Sequence, residues 1–440
     1  MNNLIFVYHN YILSKVKNDK YRKIIAKMLD LFPDGKVPSS FFYDDKINIV
    51  NKKIYKVTDF GVLQDRHDMI QTCNIQKVID IAAQSGGGAI LFPEGLYRSG
   101  ALFFKENTSL ILEENAILYG SKEISDFPVM ETRIEGETCL YFAALINADK
   151  VDNFSITGKG VIDGDGLDYW RHFWIRRQFN PQCTNKDEMR PRLVYVSNSN
   201  NVIIKDVTLQ NSPFWTSHFY RVNCLKIFDT KIFAPSSPVP SPSTDAIDLD
   251  NCHEVWIKGC DISVNDDAIA LKGGKGPNAH KLSENGSNSE ILIEDCHFGI
   301  PHSCLTCGSE TIHNQNIVMQ NCTCDNAGRI FYLKMRPDTV QVNENITVKN
   351  IKGFCKHGIL FSSWTQFRQC DEVLSSLGQN ILLENLDLTC DLGMIFSELE
   401  EYSLSNICIK NSNFKVKDLP DVDNFPSEVK LENVNISLKD

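Results

Sequence analysis

From about Asp152 onward, one pattern of apolar and polar positions recurs along the chain. A polar turn, often containing Asn, precedes alternating apolar residues, then one or two polar residues and another apolar pair. Alternation with a period of two is typical of short β-strands, and the polar residues mark the turns between them. Copies spaced 22–36 residues apart begin at residues 201, 223, 254, 290, 316, 345, 380 and 406. The irregular spacing excludes leucine-rich repeats, and the β-rich units exclude helical repeats.

A repeat of this length, with several short strands and turns of variable length, predicts one coil of a parallel β-helix. Coils stacked about 4.8 Å apart place inward apolar residues in continuous ladders and line outward residues along one face. We therefore predict an all-β fold, a single-stranded parallel β-helix forming one elongated domain. The alternative is a propeller, which requires longer and more regular repeats.

The residues before the repeats predict a cap at the start of the β-helix. Ile75, Val78, Ile79 and Ala82 fall on one face of a helix that Thr72 can cap, and this helix can cover the open edge of the first coil. Residues 1–54 are predicted to form an N-terminal arm or cap, and residues 55–440 the β-helix domain. Long helices are not expected after this cap.

Composition and charge narrow the classes of partner. The 440 residues are 42% hydrophobic and 23% charged, which supports a large core and excludes disordered and collagen-like chains. With 45 basic and 56 acidic residues, the formal net charge of −11 disfavours nucleic acid and anionic membranes as partners. An anionic substrate would require a local basic pocket.

The N-terminal sequence and the cysteines indicate the cellular compartment of the protein. No stretch is long and apolar enough to span a membrane, and no small-residue cleavage site precedes Lys15, so we expect no signal peptide and a cytoplasmic location, with secretion as the alternative. The 15 cysteines are expected to be free, buried thiols. The alternative is a zinc site, for which the candidate ligands are Cys304, Cys307, Cys322 and Cys324.

Acidic residues cluster at one interval of the repeat. Asp245 precedes the pair Asp266 and Asp267 by 21–22 residues, about one coil, so the three should stack. Crowded carboxylates raise the pKa of at least one member, which can then act as the acid in glycosidic-bond cleavage while another activates water. Adjacent residues of a straight strand point to opposite faces, so we predict a bend at the pair. Asp248 and Asp250 alternate as surface strand residues would.

Basic residues follow on succeeding coils. His302 lies one coil beyond the acidic pair, and Lys334 and Arg336 share one strand face because they are two residues apart. Each of these residues alone is more often structural than functional. Their alignment with the acidic cluster on consecutive coils favours a single site.

At these residues the sequence resembles the polygalacturonases, glycoside hydrolase family 28. The family consists of right-handed, pectin-lyase-like parallel β-helices that hydrolyse pectin galacturonides with inversion. The resemblance begins near Tyr55 and spans nearly all of the remaining chain. Its motifs here are Asp59-Phe-Gly, Gly86-Gly-Gly-Ala-Ile-Leu-Phe-Pro-Glu-Gly-Leu-Tyr, Asn211-Ser-Pro-Phe-Trp, Ser243-Thr-Asp, Asn265-Asp-Asp, and His302 leading to Gly308-Ser-Glu.

The resemblance implies roles for the clustered residues. Asp266 would be the general acid, and Asp245 and Asp267 would position and deprotonate the attacking water. His302 would support the acid or bind sugar. The implied substrate is a pectic galacturonide, cleaved during pectin degradation with no metal or cofactor. The arm and a loop over Tyr169–Leu193 that could close one end of the cleft favour exo action.

One departure from the family concerns recognition of the substrate carboxylate. The family's Arg-x-Lys stands here as Tyr332-Leu333-Lys334, which leaves Arg336 to supply a guanidinium. We expect Lys334 and Arg336 to bind a uronate, with Lys272 as another candidate.

Two further residues are candidates for sugar binding. Trp215 and His218 are expected to form a sugar-stacking platform, the alternative being aromatic packing in the core.

Two rival functions remain open at this point. A pectate lyase would use calcium held by carboxylates and an arginine base, and a glycan-binding β-helix would have lost catalysis. The acidic pattern favours the hydrolase over both. The choice among homogalacturonan, rhamnogalacturonan and side-chain substrates depends on loops, as does the choice between an exo-polygalacturonase and a rhamnogalacturonan galacturonidase. The oligomeric state is also open.

Overall fold

The computed structural model describes residues 32, 38–42, 53–397 and 399–439, and most of its regular structure is β. Helix α1 spans Thr72–Gln84 and helix α2 spans Leu167–Phe179. No helix in these ranges combines the length and the hydropathy needed to cross a membrane.

The strands are given in chain order, in three groups. The first group is β1 (Ile54–Lys56), β2 (Gly88–Phe92), β3 (Gly95–Ser99), β4 (Leu102–Phe104), β5 (Thr108–Leu112), β6 (Ala116–Gly120), β7 (Val129–Ile134), β8 (Glu137–Phe142), β9 (Ile146–Asp149), β10 (Ser155–Gly158) and β11 (Val161–Asp163). The second is β12 (Val194–Lys205), β13 (Thr208–Gln210), β14 (Ser217–Phe228), β15 (Lys231–Phe233), β16 (Ile247–Asp250), β17 (His253–Lys258), β18 (Asp261–Ser263), β19 (Ile269–Lys272), β20 (Ser287–Glu294), β21 (His297–Phe298) and β22 (Leu305–Gly308). The third is β23 (His313–Met335), β24 (Gln341–Ser363), β25 (Ser376–Cys390), β26 (Leu392–Phe396), β27 (Ser403–Val416) and β28 (Val429–Leu438).

These strands stack coil upon coil in parallel register, which confirms the predicted parallel β-helix. One column of paired residues runs through successive coils: Ile146, Val194, Ser217, Ile247, Ile269, Leu305, Phe331, Ile359 and Met394. The antiparallel hairpin β7–β8 stands apart from this stack. The interior is one continuous apolar cluster, as the inward-facing half of each alternating strand requires.

Backbone geometry explains why the repeat so often begins with Asn. The residue that opens seven of the eight copies has a positive φ, a conformation that Asn adopts more readily than most residues. In the copy that begins at residue 223, the next residue, Cys224, has the positive φ. Asn side chains at equivalent positions also hydrogen-bond from coil to coil: Asn380 Nδ2 donates to Asn345 Oδ1 at 3.2 Å, and Asn406 Nδ2 donates to Asn380 Oδ1 at 2.9 Å. Glu254 and Glu290 occupy the same kind of turn with φ of 56° and 53°.

Helix α1 packs as the sequence predicts, with its buried face formed by Ile75, Val78, Ile79 and Ala82. The helix contacts β2 and β4 at the first coils, where it covers the start of the stack. Thr72 is the first helical residue rather than the cap, and its Oγ1 accepts a hydrogen bond from the amide of Gly100 at 2.7 Å.

Most of the predicted N-terminal arm, residues 1–54, lies outside the described residues, and its boundary stays a prediction. Within the part that is described, the short helix Ser39–Phe42 lies against β17, where the ring of Phe41 is 5.2 Å from that of Trp256. The expectation that long helices end with the cap is wrong, because α2 begins at Leu167 and extends into the predicted loop Tyr169–Leu193. The 15 cysteines all lie in the described ranges, where they are free thiols.

Candidate active site

A cleft with a volume of about 360 Å³ lies on the outer face of the central coils. Acidic, basic and aromatic side chains line it together. The lining includes Glu135, Phe173, Arg177, Asn185, Trp215, Asp245, Asp266, Asp267, Lys272, Lys275, His302, Glu310, Arg329, Tyr332, Lys334, Arg336, Trp364, Gln366 and Phe367.

Three carboxylates converge in this cleft. Asp245 lies two residues before the first residue of β16, and Asp266 and Asp267 lie in a bend between β18 and β19, so the predicted bend is confirmed. One carboxylate oxygen from each of the three lies within 4.8 Å of the others. The amide of Asp267 donates a hydrogen bond of 3.0 Å to Asp266 Oδ1, which helps to hold the bend.

The environment shifts the pKa values of Asp245 and Asp266 in opposite directions. Burial and the nearby charge of Asp266 raise the pKa of Asp245 well above its ordinary value. Burial also acts to raise the pKa of Asp266, but the hydrogen bond and charge of His302 outweigh it and leave that pKa lowered. The direction for Asp245 agrees with the expectation that crowding raises the pKa of at least one carboxyl. The raised pKa belongs to Asp245, whereas the resemblance assigns the acid role to Asp266.

His302 stands at the open side of the trio. Its Nδ1 lies 3.3 Å from Asp266 Oδ1, and its side chain is 57% exposed. The hydrogen bond to Asp266 raises the pKa of His302, so the two groups stabilise each other's charged form.

Lys272 lies next to the trio and contacts several carboxylates at once. Its Nζ is 3.4 Å from Glu310, 3.6 Å from Asp245 and 3.6 Å from Asp248. It also lies 4.9 Å from the ring centroid of Trp215, which lines the cleft. Because Lys272 is buried and its charge is shared among these groups, it is placed to hold carboxylates together rather than to meet a substrate from solution.

Two expectations about strand-face residues are wrong. Asp248 and Asp250 are fully buried instead of lying on the surface. His218 is also fully buried and does not line the cleft, so it cannot form a sugar platform with Trp215. The physical reason is that the β7–β8 hairpin covers this face: its Arg133 reaches Asp250 at 3.0 Å. Burial lowers the pKa of His218 to about 4.

Arg336 reaches the cleft, but its guanidinium is already occupied. It makes a two-point contact with Asp338 at 2.8–2.9 Å and donates to the carbonyl oxygens of Gln366 and Phe367 at 3.1 Å. These contacts use four of its five N–H groups. Arg336 therefore fastens the loop that carries Trp364, and it has little capacity left for a uronate, in contrast to the sequence expectation. Lys334 keeps its Nζ in the cleft, 4.0 Å from the Trp364 ring centroid.

The hairpin β7–β8 forms part of the cleft wall. Its tip residue Glu135 lines the cleft, while Thr132 and Thr138 behind the tip line a second cavity of about 290 Å³. The tip is tied across the groove because Lys275 pairs with Glu135 at 3.4 Å and with Glu137 at 3.2 Å.

The tip is also fastened from the other sides of the groove. Asn185 Nδ2 donates to Glu135 Oε1 at 2.8 Å, and Gln369 donates to Glu137 at 3.1 Å.

Helix α2 supplies another wall through Phe173 and Arg177. The sequence pattern indicates this segment but not its helical form, and it does not identify Arg329 or Trp364 as residues of the cleft. Glu310 was only part of a motif. The repeat register places Arg329 on the coil after His302, which is the one signal that could have identified it.

The family model described as glycosyl hydrolases family 28 matches residues 127–362, slightly more than half of the chain. Similar curated proteins include a probable polygalacturonase of Vitis vinifera, 30% identical over 230 residues, and an endo-polygalacturonase of Pectobacterium carotovorum subsp. carotovorum, 27% identical over 263 residues. The matched segments cover 50% and 57% of this chain but only 44% and 61% of those relatives, so the chain spans about half of their length.

Solved structures share the fold across nearly the whole chain. An exopolygalacturonase from Thermotoga maritima superimposes with a TM-score of 0.75 at 21% identity, covering 94% of this chain and 96% of the other. A family 28 exopolygalacturonase from Yersinia enterocolitica gives a TM-score of 0.67 at 19% identity, covering 89% and 79%. At these identities the likeness establishes the fold, the right-handed parallel β-helix that the resemblance implied.

Proposed function

The chain belongs to glycoside hydrolase family 28, and from that premise we propose that it hydrolyses α-linked galacturonic acid residues at one end of a pectic chain. The observation that carries the proposal is the carboxylate trio, with oxygens within 4.8 Å of one another, in a cleft that also holds Lys334 and Arg329. The trio provides an acid and a base, and the cations suit an anionic sugar in an otherwise acidic protein.

The proposed reaction needs one proton held within the trio. We infer that Asp245 holds this proton in the free protein and passes it to Asp266 when substrate enters, so that Asp266 protonates the leaving glycosidic oxygen. Asp267 and the now ionised Asp245 then hold a water, and Asp245 accepts its proton as the water oxygen attacks the anomeric carbon and the glycosidic bond breaks. The proton that Asp245 takes up restores the starting state. His302, which is exposed and paired with Asp266, sits where the leaving sugar would pass.

The hairpin β7–β8 supports exo action. A long polysaccharide can lie through a groove only if both ends are open, and we propose that the hairpin tip, whose Glu135 lines the cleft, limits one of those ends. Exo action also agrees with the names of some relatives. One of them is an exopolygalacturonase of Zea mays, which is 32% identical over 139 residues.

We propose that hydrolysis inverts the anomeric configuration, and this proposal rests on family membership and not on the spacing of the carboxylates. Most inverting enzymes separate their two carboxyl groups by about 6.5–9.5 Å, whereas the oxygens of this trio lie closer. Proton NMR of the first product therefore provides an independent check, and an inverted anomer is expected.

The test is incubation of the purified protein with short galacturonate and rhamnogalacturonate oligomers without added metal. We expect single galacturonic acid units, and we expect Asp266→Asn to lower kcat about 10²- to 10⁴-fold with the fold intact. Asp59→Asn, outside the cleft, is the control. Products that absorb ultraviolet light and vanish with chelator would instead indicate a lyase, and binding without any cleavage would indicate a glycan-binding protein.

A further inference from the structure

The cations that line the cleft differ in whether their charge is already neutralised. Lys272 and Lys275 contact carboxylates within 4.0 Å, and Arg336 pairs with Asp338. Arg329 and Lys334 also line the cleft, but neither forms an ion pair within the described ranges of the chain. A guanidinium that faces a cleft without a carboxylate partner is suited to an anionic ligand.

The guanidinium of Arg329 is also held in place. Its carbon lies 4.9 Å from the ring centroid of Tyr332, and that ring is fixed by a hydrogen bond of 3.0 Å between its hydroxyl and Ser362. One N–H of Arg329 donates to the carbonyl oxygen of His302 at 3.3 Å. Its Nε is buried and has no hydrogen-bond partner among the described residues.

Backbone hydrogen bonds show how far Arg329 is from the reacting centre. Along the stack, the amide of Ala246 donates to the carbonyl of Asp267, that of Ala268 to Ser303, and that of Cys304 to Arg329. Asp267, Ser303 and Arg329 therefore occupy one column on consecutive coils. Two coil steps of about 4.8 Å place Arg329 roughly 10 Å beyond Asp267 along the axis, a distance comparable with one or two sugar rings.

We propose that Arg329 is a specificity-determining residue that binds the carboxylate of a galacturonate unit on the C-terminal side of the trio, together with Lys334. This inference rests on the proposed function. Lys334 lies 5.7 Å from the same Tyr332 ring, so the two cations flank one aromatic side chain. A sugar carboxylate over this ring receives a two-point contact from the guanidinium fork and a charge from the ammonium. Arg329 thereby takes the guanidinium role that the sequence had assigned to Arg336.

The test compares Arg329→Gln with wild type on galacturonate oligomers as free acids and as methyl esters. We expect Arg329→Gln to raise KM for the free acid about 10- to 100-fold, with kcat changed less, because a charge-assisted contact made in the ground state is lost. Wild type should prefer the acid over the ester, and this preference should collapse in the variant. Arg329→Lys should fall between the two, since it keeps charge without the fork.

Arg66→Gln, an exposed arginine far from the cleft in sequence, is the matched control. Thermal melting checks that each variant folds. An unchanged KM in Arg329→Gln, or equal losses on acid and ester, would overturn the inference while the proposed function stands. Measurement of equilibrium binding of the same oligomers distinguishes failure of the Arg329 inference from failure of the proposed function. A wild-type protein that neither cleaves nor binds them overturns both, whereas charge-dependent binding without cleavage overturns only the proposed function.

Discussion

Asp248 shows how a single buried carboxyl couples the candidate site to stability. It is fully buried, both of its oxygens lack a hydrogen-bond partner among the described residues, and its nearest cation is Lys272 Nζ at 3.6 Å. Burial raises its pKa to about 8. The folded state therefore binds this proton more tightly than the unfolded state does, and stability from this group falls as pH rises from about 4 to about 8.

The resulting prediction concerns Asp248→Asn. The substitution removes the charge that must be desolvated at high pH, so the variant should lose less unfolding free energy than wild type between pH 5 and pH 8. A difference of about 1–3 kcal/mol at pH 8 is expected, shrinking towards pH 5. Urea unfolding at both pH values measures it. An identical pH dependence in the two proteins would contradict the raised pKa.

At the residue scale, the sequence predicts a contact where chain separation equals one coil and fails where a remote segment intervenes. Asp245 and Asp267 could be paired because 22 residues make one turn of the helix. His218 and Asp250 could not be recognised as buried, because the covering Arg133 lies 85 and 117 residues upstream, outside the repeat. Arg329 was missed because it lies outside the motif that drew attention to Lys334.

At the element scale, the hairpin β7–β8 is an insertion into the coils whose tip lines the candidate cleft. Its own two strands pair with each other and not with the coils, and its tip is fastened by Lys275 and Asn185. Nothing in the repeat pattern predicts such an insertion, since it depends on long-range polar contacts of the tip. The same holds for α2, whose Phe173 packs under Arg177 and Arg190.

Shortening the hairpin tip tests whether it imposes exo action. If the tip limits the cleft as proposed, replacing Ile134–Glu137 by a two-residue Asn-Gly turn should let a chain lie through the groove. Early products should then change from single sugars to mixed oligomers, as followed by mass spectrometry over time. Gln369→Ala, which loosens one tip contact without shortening the hairpin, is the milder comparison. Single sugars alone from the shortened protein would mean that another element limits the cleft.

At the scale of the whole molecule, the stack is close to one-dimensional, because each coil contacts only its neighbours. Asn380 shows how the coils are joined: its amide donates to Asn345, its oxygen accepts from Asn406, and its φ is 53°. Asn380→Ala removes both hydrogen bonds and strains the turn, so the stability of the C-terminal coils should fall by about 2–3 kcal/mol. Asn380→Gly relieves the strain and should cost less.

This damage should remain local, because the trio lies on β16–β19, several coils from Asn380. We expect hydrogen exchange in β25, β27 and β28 to quicken in Asn380→Ala while amides near Asp267 stay protected and kcat changes less than twofold. Comparison with Asn380→Gly shows whether the two lost hydrogen bonds or the backbone strain contributes more to the loss of stability. If protection near Asp267 fell together with that of β27, the coils would unfold as one unit, and the site's geometry would depend on the entire stack rather than on the coils that build it.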